Sequence, residues 1–176
     1  MTILAGHHAR TDARQAERPI EADLLRTLLR RQAAPVVVVT APGEPPAGFT
    51  ATSFTAVAVH QPLVSFCVDR QSLSWPAVAV ARHVGIHLLG TAQEEVARGF
   101  ALRGIDGFAR NAWQPGPHGV PLLQNALTRM ICRIVERVPV GDHAIVLAEP
   151  LDGDYDPDPA NSSPLLYHMG QYTTAR

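Results

Sequence analysis

Several features that would settle the class of this chain at once are missing from it. No run among its 176 residues approaches the roughly eighteen uninterrupted apolar positions of a membrane span. Residues 1–21 lack the hydrophobic segment of a secretory signal. Charge of either sign is not in excess: fifteen basic residues face sixteen acidic ones, for a formal net charge of −1. Such a chain is a poor match for a nucleic-acid backbone, which is held chiefly by neutralising its phosphates. Cysteine is scarce, with only Cys67 and Cys132, both in apolar runs of strand character. We read them as buried free thiols rather than a disulfide, and expect a cytoplasmic protein with no membrane partner. No carboxylate pair and no nucleophile triad stands out.

What is present is a hydrophobic content of 46%, enough for the core of one domain. No internal repeat or linker divides it. We expect a mobile, polar N-terminal arm over residues 1–19 and a single domain over residues 20–176. Residues 20–31 carry Leu24, Leu25, Leu28 and Leu29 at helical spacing, with Arg26, Arg30 and Arg31 toward the end that favours cations. Residues 35–40 read as a buried strand, because consecutive valines are stiff at χ1 and suit a sheet. Residues 47–59 read as a second strand with an irregular middle, and residues 63–68 as a third. Ser74, Trp75 and Pro76 open a short helix, with Ser74 as a candidate cap. Residues 84–89 return to strand. Thr91 and Glu94 suggest a capping box for a helix through Ala101, with Val96 and Phe100 on its core face. Residues 104–119 look like a long loop, residues 127–138 and 143–148 like strands, residues 152–163 like an acidic loop, and residues 165–172 like a last strand. Six or seven strands, few helices and no βαβ alternation predict a mainly β fold, an antiparallel barrel.

Four segments carry candidate chemistry. Gly48, Phe49, Thr50, Ala51, Thr52, Ser53 and Phe54 concentrate small and hydroxyl side chains beside the valine strand. Glycine admits close approach, and hydroxyls can bond an uncharged heterocycle; a plain turn has the same composition. Asp69, Arg70, Gln71, Ser72, Leu73, Ser74 and Trp75 run from a strand end into a helix start, where backbone N–H groups and one guanidinium could meet an anion. The alternative there is a capped helix with a solvated arginine. Gly141, Asp142 and His143 begin a strand, and a histidine in that place can equally be a core residue bonded to backbone. Tyr167, Gly170 and Tyr172 close the chain, with barrel-edge packing as the other reading of the tyrosines. His83 and His87 are four apart, but on a strand they stand about 13 Å from one another. With no third ligand near, no metal site is expected.

In that order these segments resemble the flavin reductase-like family, whose fold is an FMN-binding split β-barrel. The resemblance spans nearly the whole chain, from about Leu24 to Tyr172, and rests on the order and spacing of the motifs. It implies an NAD(P)H:flavin oxidoreductase that takes FMN or FAD and NADH or NADPH and delivers diffusible reduced flavin to a separate monooxygenase. A homodimer that closes the flavin site is implied as well. Thr50, Ala51, Thr52 and Ser53 would line the isoalloxazine, and Arg70, Ser72, Ser74 and Trp75 would meet the phosphate side. A third flavin segment of the family has Asn followed by Leu inside an apolar strand; here His87 and Leu88 align, so a wider imidazole replaces the amide. Its ordinary pKa of roughly 6.5 would make flavin affinity vary with pH. Phe100, Tyr167 and Gly170 complete the expected cofactor contacts. His143 would sit by the nicotinamide as the catalytic residue, with Asp142 on the other sheet face and so no partner to it. Two other activities stay open: a flavin-binding module without turnover, and a flavin-dependent oxidase or oxygenase that retains its flavin.

Overall fold

Val36, Val37, Val38 and Val39 are all buried, and the sheet is built outward from them. The computed structural model describes residues 18–102, 106–158 and 163–175. Residues 1–17, most of the expected arm, lie outside the described residues. The main sheet has seven strands in the order β3-β2-β6-β9-β10-β5-β4. They are β2 (Val37–Ala41), β3 (Ala47–Ala51), β4 (Thr55–Ala58), β5 (Leu63–Asp69), β6 (His83–Leu88), β9 (Thr128–Val140) and β10 (His143–Tyr155). All its pairings are antiparallel.

Chain order forces this sheet to curl. β3 and β4 lie at opposite edges, yet only residues 52–54 join them. Four Cα steps reach at most about 14 Å, whereas seven flat strands would hold the edges about 29 Å apart. The end of β3 is therefore held close to the start of β4, and the sheet curls into the expected barrel, split between β3 and β4, which do not pair with one another. Phe66, Val68, Val84, Ile86, Val146 and Cys132 fill its interior with Val37 and Val39. Burial pushes the Cys132 thiol up to about 12, so it packs as a small inert hydrophobe. Cys67 is half-buried, less enclosed than expected, and both thiols are free.

The opposite face of β2 and β6 holds a second core. Val36, Val38, Leu89, Phe100, Leu123 and Leu165 meet there under α3 (Glu94–Ala101). A small sheet of β1 (Ala34–Pro35), β11 (Leu165–His168) and β12 (Gln171–Thr174) flanks it. Two further helices, α1 (Ala22–Leu29) and α2 (Trp75–Val80), fall where the sequence places them. α1 buries none of its residues, and its four leucines stand open to solvent.

Four expectations need correction. The last segment is not one strand but the β11–β12 hairpin, turned by Met169 (φ 53°) and Gly170 (φ 84°). Positive φ at both turn residues is the type I′ pattern, and Met-Gly lacks the Asn-Gly signature that announces it. The acidic loop begins later, because β10 runs on to Tyr155 against β9 through register shifts near Pro150. Proline cannot donate to the ladder, and the strand bulges past it. The glycine-rich loop contains α4 (Gly107–Arg110) and a hairpin of β7 (Trp113–Pro115) and β8 (Pro121–Leu123); residues 103–105 lie outside the described ones. Phe108 orders it, meeting Phe100 edge-on at 5.0 Å and Trp113 at 5.3 Å. Finally, Thr91 and Glu94 make no capping box: Gln93 Oε1 accepts the Gly90 N–H at 3.0 Å and closes the 3-10 turn Thr91–Gln93, while α3 itself has no side-chain cap bond.

Candidate functional site

Closure of the barrel brings three of the four segments together where β5 runs into α2, and a backbone-directed bond pins each junction. From the link between β3 and β4, Ser53 Oγ accepts the Cys67 N–H at 2.9 Å. At the start of α2, Ser74 Oγ donates to the Gly48 carbonyl at 2.8 Å and makes no cap bond to its own helix, contrary to expectation. From the β9–β10 hairpin, the Asp142 carbonyl accepts the Arg70 N–H at 2.9 Å. The turn between β5 and α2 is itself tight: Asp69 Oδ1 accepts the Gln71 N–H at 2.8 Å, and the Asp69 carbonyl accepts the Ser72 N–H at 3.0 Å.

Within this frame Ser72 Oγ is buried and has no hydrogen-bond partner. A buried hydroxyl left so costs about 1–3 kcal/mol, which a ligand oxygen at that point would recover. Beside it the exposed Arg70 guanidinium reaches only the Gly141 carbonyl, at 3.5 Å, among the described residues. An unsatisfied hydroxyl two residues from an exposed guanidinium fits the anionic end of a flavin nucleotide, the role expected of Arg70 and Ser72. Thr52 and Ser53 are exposed on the adjoining link.

His143 is half-exposed, and its Nδ1 lies 2.7 Å from Asp142 Oδ1. This overturns the expectation that Asp142 faces away. Asp142 is not in a strand: Val140 pairs with His143, leaving Gly141 and Asp142 as a two-residue turn with positive φ (59°) at Gly141 alone. That is the type II′ pattern, so period-2 alternation does not govern Asp142. The bond from His143 holds the Asp142 carboxyl below the usual carboxylate range.

Other expected contacts have side chains occupied elsewhere. Thr50 Oγ1 donates to the Ala97 carbonyl of α3 at 2.7 Å. Ala51 is buried in the barrel core, and Leu88 and Trp75 pack against it. Phe100 is in the second core. His87 is fully buried; its Nδ1 is 3.1 Å from the Val38 carbonyl and its Nε2 accepts the Leu123 N–H at 3.1 Å. Both ring nitrogens are satisfied by backbone, so no ring nitrogen is left for a flavin edge. The core reading of His87 replaces the ligand reading.

Tyr167 and Gly170 line a separate cleft of about 520 Å³ between α3 and the β11–β12 hairpin. Tyr172 meets Tyr167 edge-on at 5.4 Å, and the Arg98 guanidinium lies 5.0 Å from the centre of the Tyr172 ring. Arg98 also bonds Glu94 from Nε at 3.0 Å. None of the residues lining this cleft comes from the His143 cluster. Asp142 and Arg98 were missed from sequence. The Gly-Asp turn dipeptide was the signal for the first, and the Glu94–Arg98 helical spacing for the second. His83 stacks on His118 at 3.8 Å, and among the described residues no three metal-ligating side chains converge.

The Flavin reductase like domain matches residues 29–176. This chain belongs to that family. An NADH:FMN oxidoreductase of Rhodococcus qingshengii is 40% identical over 151 residues, which are 84% of this chain and 78% of that protein. The reductase component of a 4-nitrophenol 4-monooxygenase/4-nitrocatechol 2-monooxygenase from Rhodococcus opacus is 31% identical, over 88% of this chain and 81% of that one. The NADH:FAD oxidoreductase SgcE6 of Streptomyces globisporus C-1027, solved in complex with NAD and FAD fragments, superposes with a TM-score of 0.78. It is 31% identical, over 85% of this chain and 89% of that one.

His87 gives the first prediction. Burial lowers its pKa from 6.5 to about 4, outweighing the bond to Val38 that favours the charged form. The folded protein therefore binds fewer protons at this site than the unfolded chain. Its contribution is complete above about pH 6.5 and is lost as pH falls toward 4, on the order of 3 kcal/mol in all. Urea unfolding of wild type and His87→Asn between pH 7.5 and 4.5 checks this. The variant should be less stable at pH 7.5, having lost the Leu123 bond, but should fall less steeply with acid; parallel slopes would refute the assignment.

Proposed function

We propose that this protein is an NAD(P)H:flavin oxidoreductase that reduces FMN or FAD and releases reduced flavin to a separate monooxygenase component. The observation that carries this reading is the buried, unpartnered Ser72 hydroxyl beside Arg70, joined through the Asp142 carbonyl to the hairpin that presents His143. When bound, the flavin would supply the redox chemistry as acceptor of the nicotinamide hydride. The protein supplies geometry. Arg70 and Ser72 hold the anionic end, Thr52 and Ser53 offer hydroxyls along the link, and His143 orients the nicotinamide carboxamide. Hydride transfer itself requires no general acid, which accounts for a site without a carboxylate pair. The named activities of the relatives support the nicotinamide and flavin substrates and the monooxygenase consumer. Two free thiols fit the reducing cytoplasm.

The reading is tested by mixing purified protein with NADH or NADPH and with FMN or FAD, and following nicotinamide absorbance. A colourless preparation whose NADH oxidation depends on added flavin is expected. A yellow preparation that NADH does not bleach would instead make it a flavin-binding module. One that turns over without added flavin would make it an oxidase that retains its cofactor.

We also propose a homodimer. α1 leaves Leu24, Leu25, Leu28 and Leu29 uncovered, and the edge strand β4 is exposed along its whole length, with Val57 half open to solvent. Uncovered leucines and an unpaired apolar edge are surfaces that globular chains ordinarily bury. In addition, the Tyr167 cleft and the His143 cluster share no lining residue within one chain. Sedimentation velocity should give twice the chain mass at micromolar concentration, and Leu25→Glu with Leu28→Glu should shift it toward the monomer. A wild-type monomer at all concentrations would contradict this.

A further inference from the structure

The Gly-Asp turn does more than connect β9 to β10. Positive φ at Gly141 turns the chain in two residues, so Asp142 sits at the hairpin tip, immediately before the strand that carries His143. The tip is anchored from the side by Arg70, whose N–H bonds the Asp142 carbonyl at 2.9 Å and whose guanidinium approaches the Gly141 carbonyl. Across the ladder, His143 is in register with Asp69. With the Asp142 backbone held, its Oδ1 rests 2.7 Å from His143 Nδ1. A carboxylate can only accept, so this contact places the proton on Nδ1. Nε2 is then the nitrogen left over, and no protein group bonds it among the described residues.

We propose that Asp142 is a positioning residue that fixes the Nδ1–H tautomer and the ring orientation of His143, so that Nε2 is offered to the nicotinamide as a hydrogen-bond acceptor. The nicotinamide carboxamide has an N–H₂ group able to donate to such a nitrogen. Without the aspartate the ring would rotate freely, and either nitrogen could carry the proton, so the acceptor would be present in only part of the population. Both side chains are at least half exposed, so solvent competes for the contact and its effect is modest. The turn offsets this by delivering the carboxylate already in place. The part of this inference that concerns nicotinamide rests on the proposed oxidoreductase reading; the tautomer assignment does not.

The test joins two measurements on the intact protein. Long-range ¹H–¹⁵N correlation spectra at pH 8 report which nitrogen of His143 is protonated. Wild type should show Nδ1 protonated and Nε2 bare, and Asp142→Ala should show a mixture or the reverse. Steady-state kinetics should show kcat/KM for NADH reduced about three- to tenfold in Asp142→Ala, mostly through KM, with flavin affinity unchanged. Asp142→Asn keeps a neutral acceptor at the same point and should recover most of the loss. Gly141 remains in every variant, and Asp142 has ordinary backbone geometry, so the turn should persist. If wild type shows the Nε2–H form, or if Asp142→Ala alters neither spectrum nor kinetics, the proposal fails. If no combination of nicotinamide and flavin turns over, the oxidoreductase reading fails and the spectra still decide the role of Asp142.

Discussion

A three-residue link governs this structure. Residues 52–54 connect strands at opposite edges of a seven-stranded sheet, and so short a span requires the sheet to curl until those edges approach. Closure decides which parts of the chain meet. It sets Ser53 against Cys67 and brings the β3–β4 link to the end of β5, where α2 begins. The same end of the sheet receives the β9–β10 hairpin through the bond from Arg70 to Asp142. Residues distant in sequence thus share one rim. Of the three hydroxyls in this stretch, Thr50 Oγ1 ties β3 to α3, Ser53 Oγ pins the link to β5, and Thr52 stays open to solvent.

The two faces of the sheet divide the remaining work. The inner face is packed with valine, isoleucine, alanine and phenylalanine and holds the barrel rigid. The outer face of the sheet lies under α3 at β2 and β3 and under β8 at β6, where it carries His87, bonded at both nitrogens to backbone on neighbouring elements. Burying an imidazole there draws the β8 segment onto the sheet by satisfying the Leu123 N–H, at the cost of stability in acid. A rigid barrel with a polar rim suits a protein whose cofactors bring their own reactivity, since the remaining requirement is to hold two rings in register.

Much of the fold was legible because its signals are local. The valine run and the Ser-Trp-Pro helix start occur where propensity and periodicity place them, whereas the single strand expected over residues 47–59 is two strands, β3 and β4, on opposite edges of the sheet. The misses have physical causes of two kinds. Turn chemistry hid in unusual dipeptides: Met169-Gly170 makes a hairpin without asparagine, and Gly141-Asp142 removes Asp142 from the strand periodicity used to orient it. Tertiary partners decided the rest. Nothing in the residues around His87 announces that the Val38 carbonyl and the Leu123 N–H will flank its ring, and only the assembled sheet supplies them. The order of motifs identified the family correctly, whereas individual site residues divided into those on the rim, such as Arg70, Ser72 and His143, and those whose side chains serve packing, such as Thr50, Ala51, Leu88 and Phe100.

The proposed flavin site is the rim defined by the β3–β4 link and the β5–α2 turn, and not the His87 face of the sheet. Amide ¹H–¹⁵N chemical-shift mapping during an FMN titration tests it directly, without any need for turnover. The largest shifts should fall on Thr52, Ser53, Arg70, Gln71 and Ser72, with His87, Leu123 and Ala97 nearly still. Shifts centred on His87 and Leu123, with a silent Arg70 and Ser72, would contradict it.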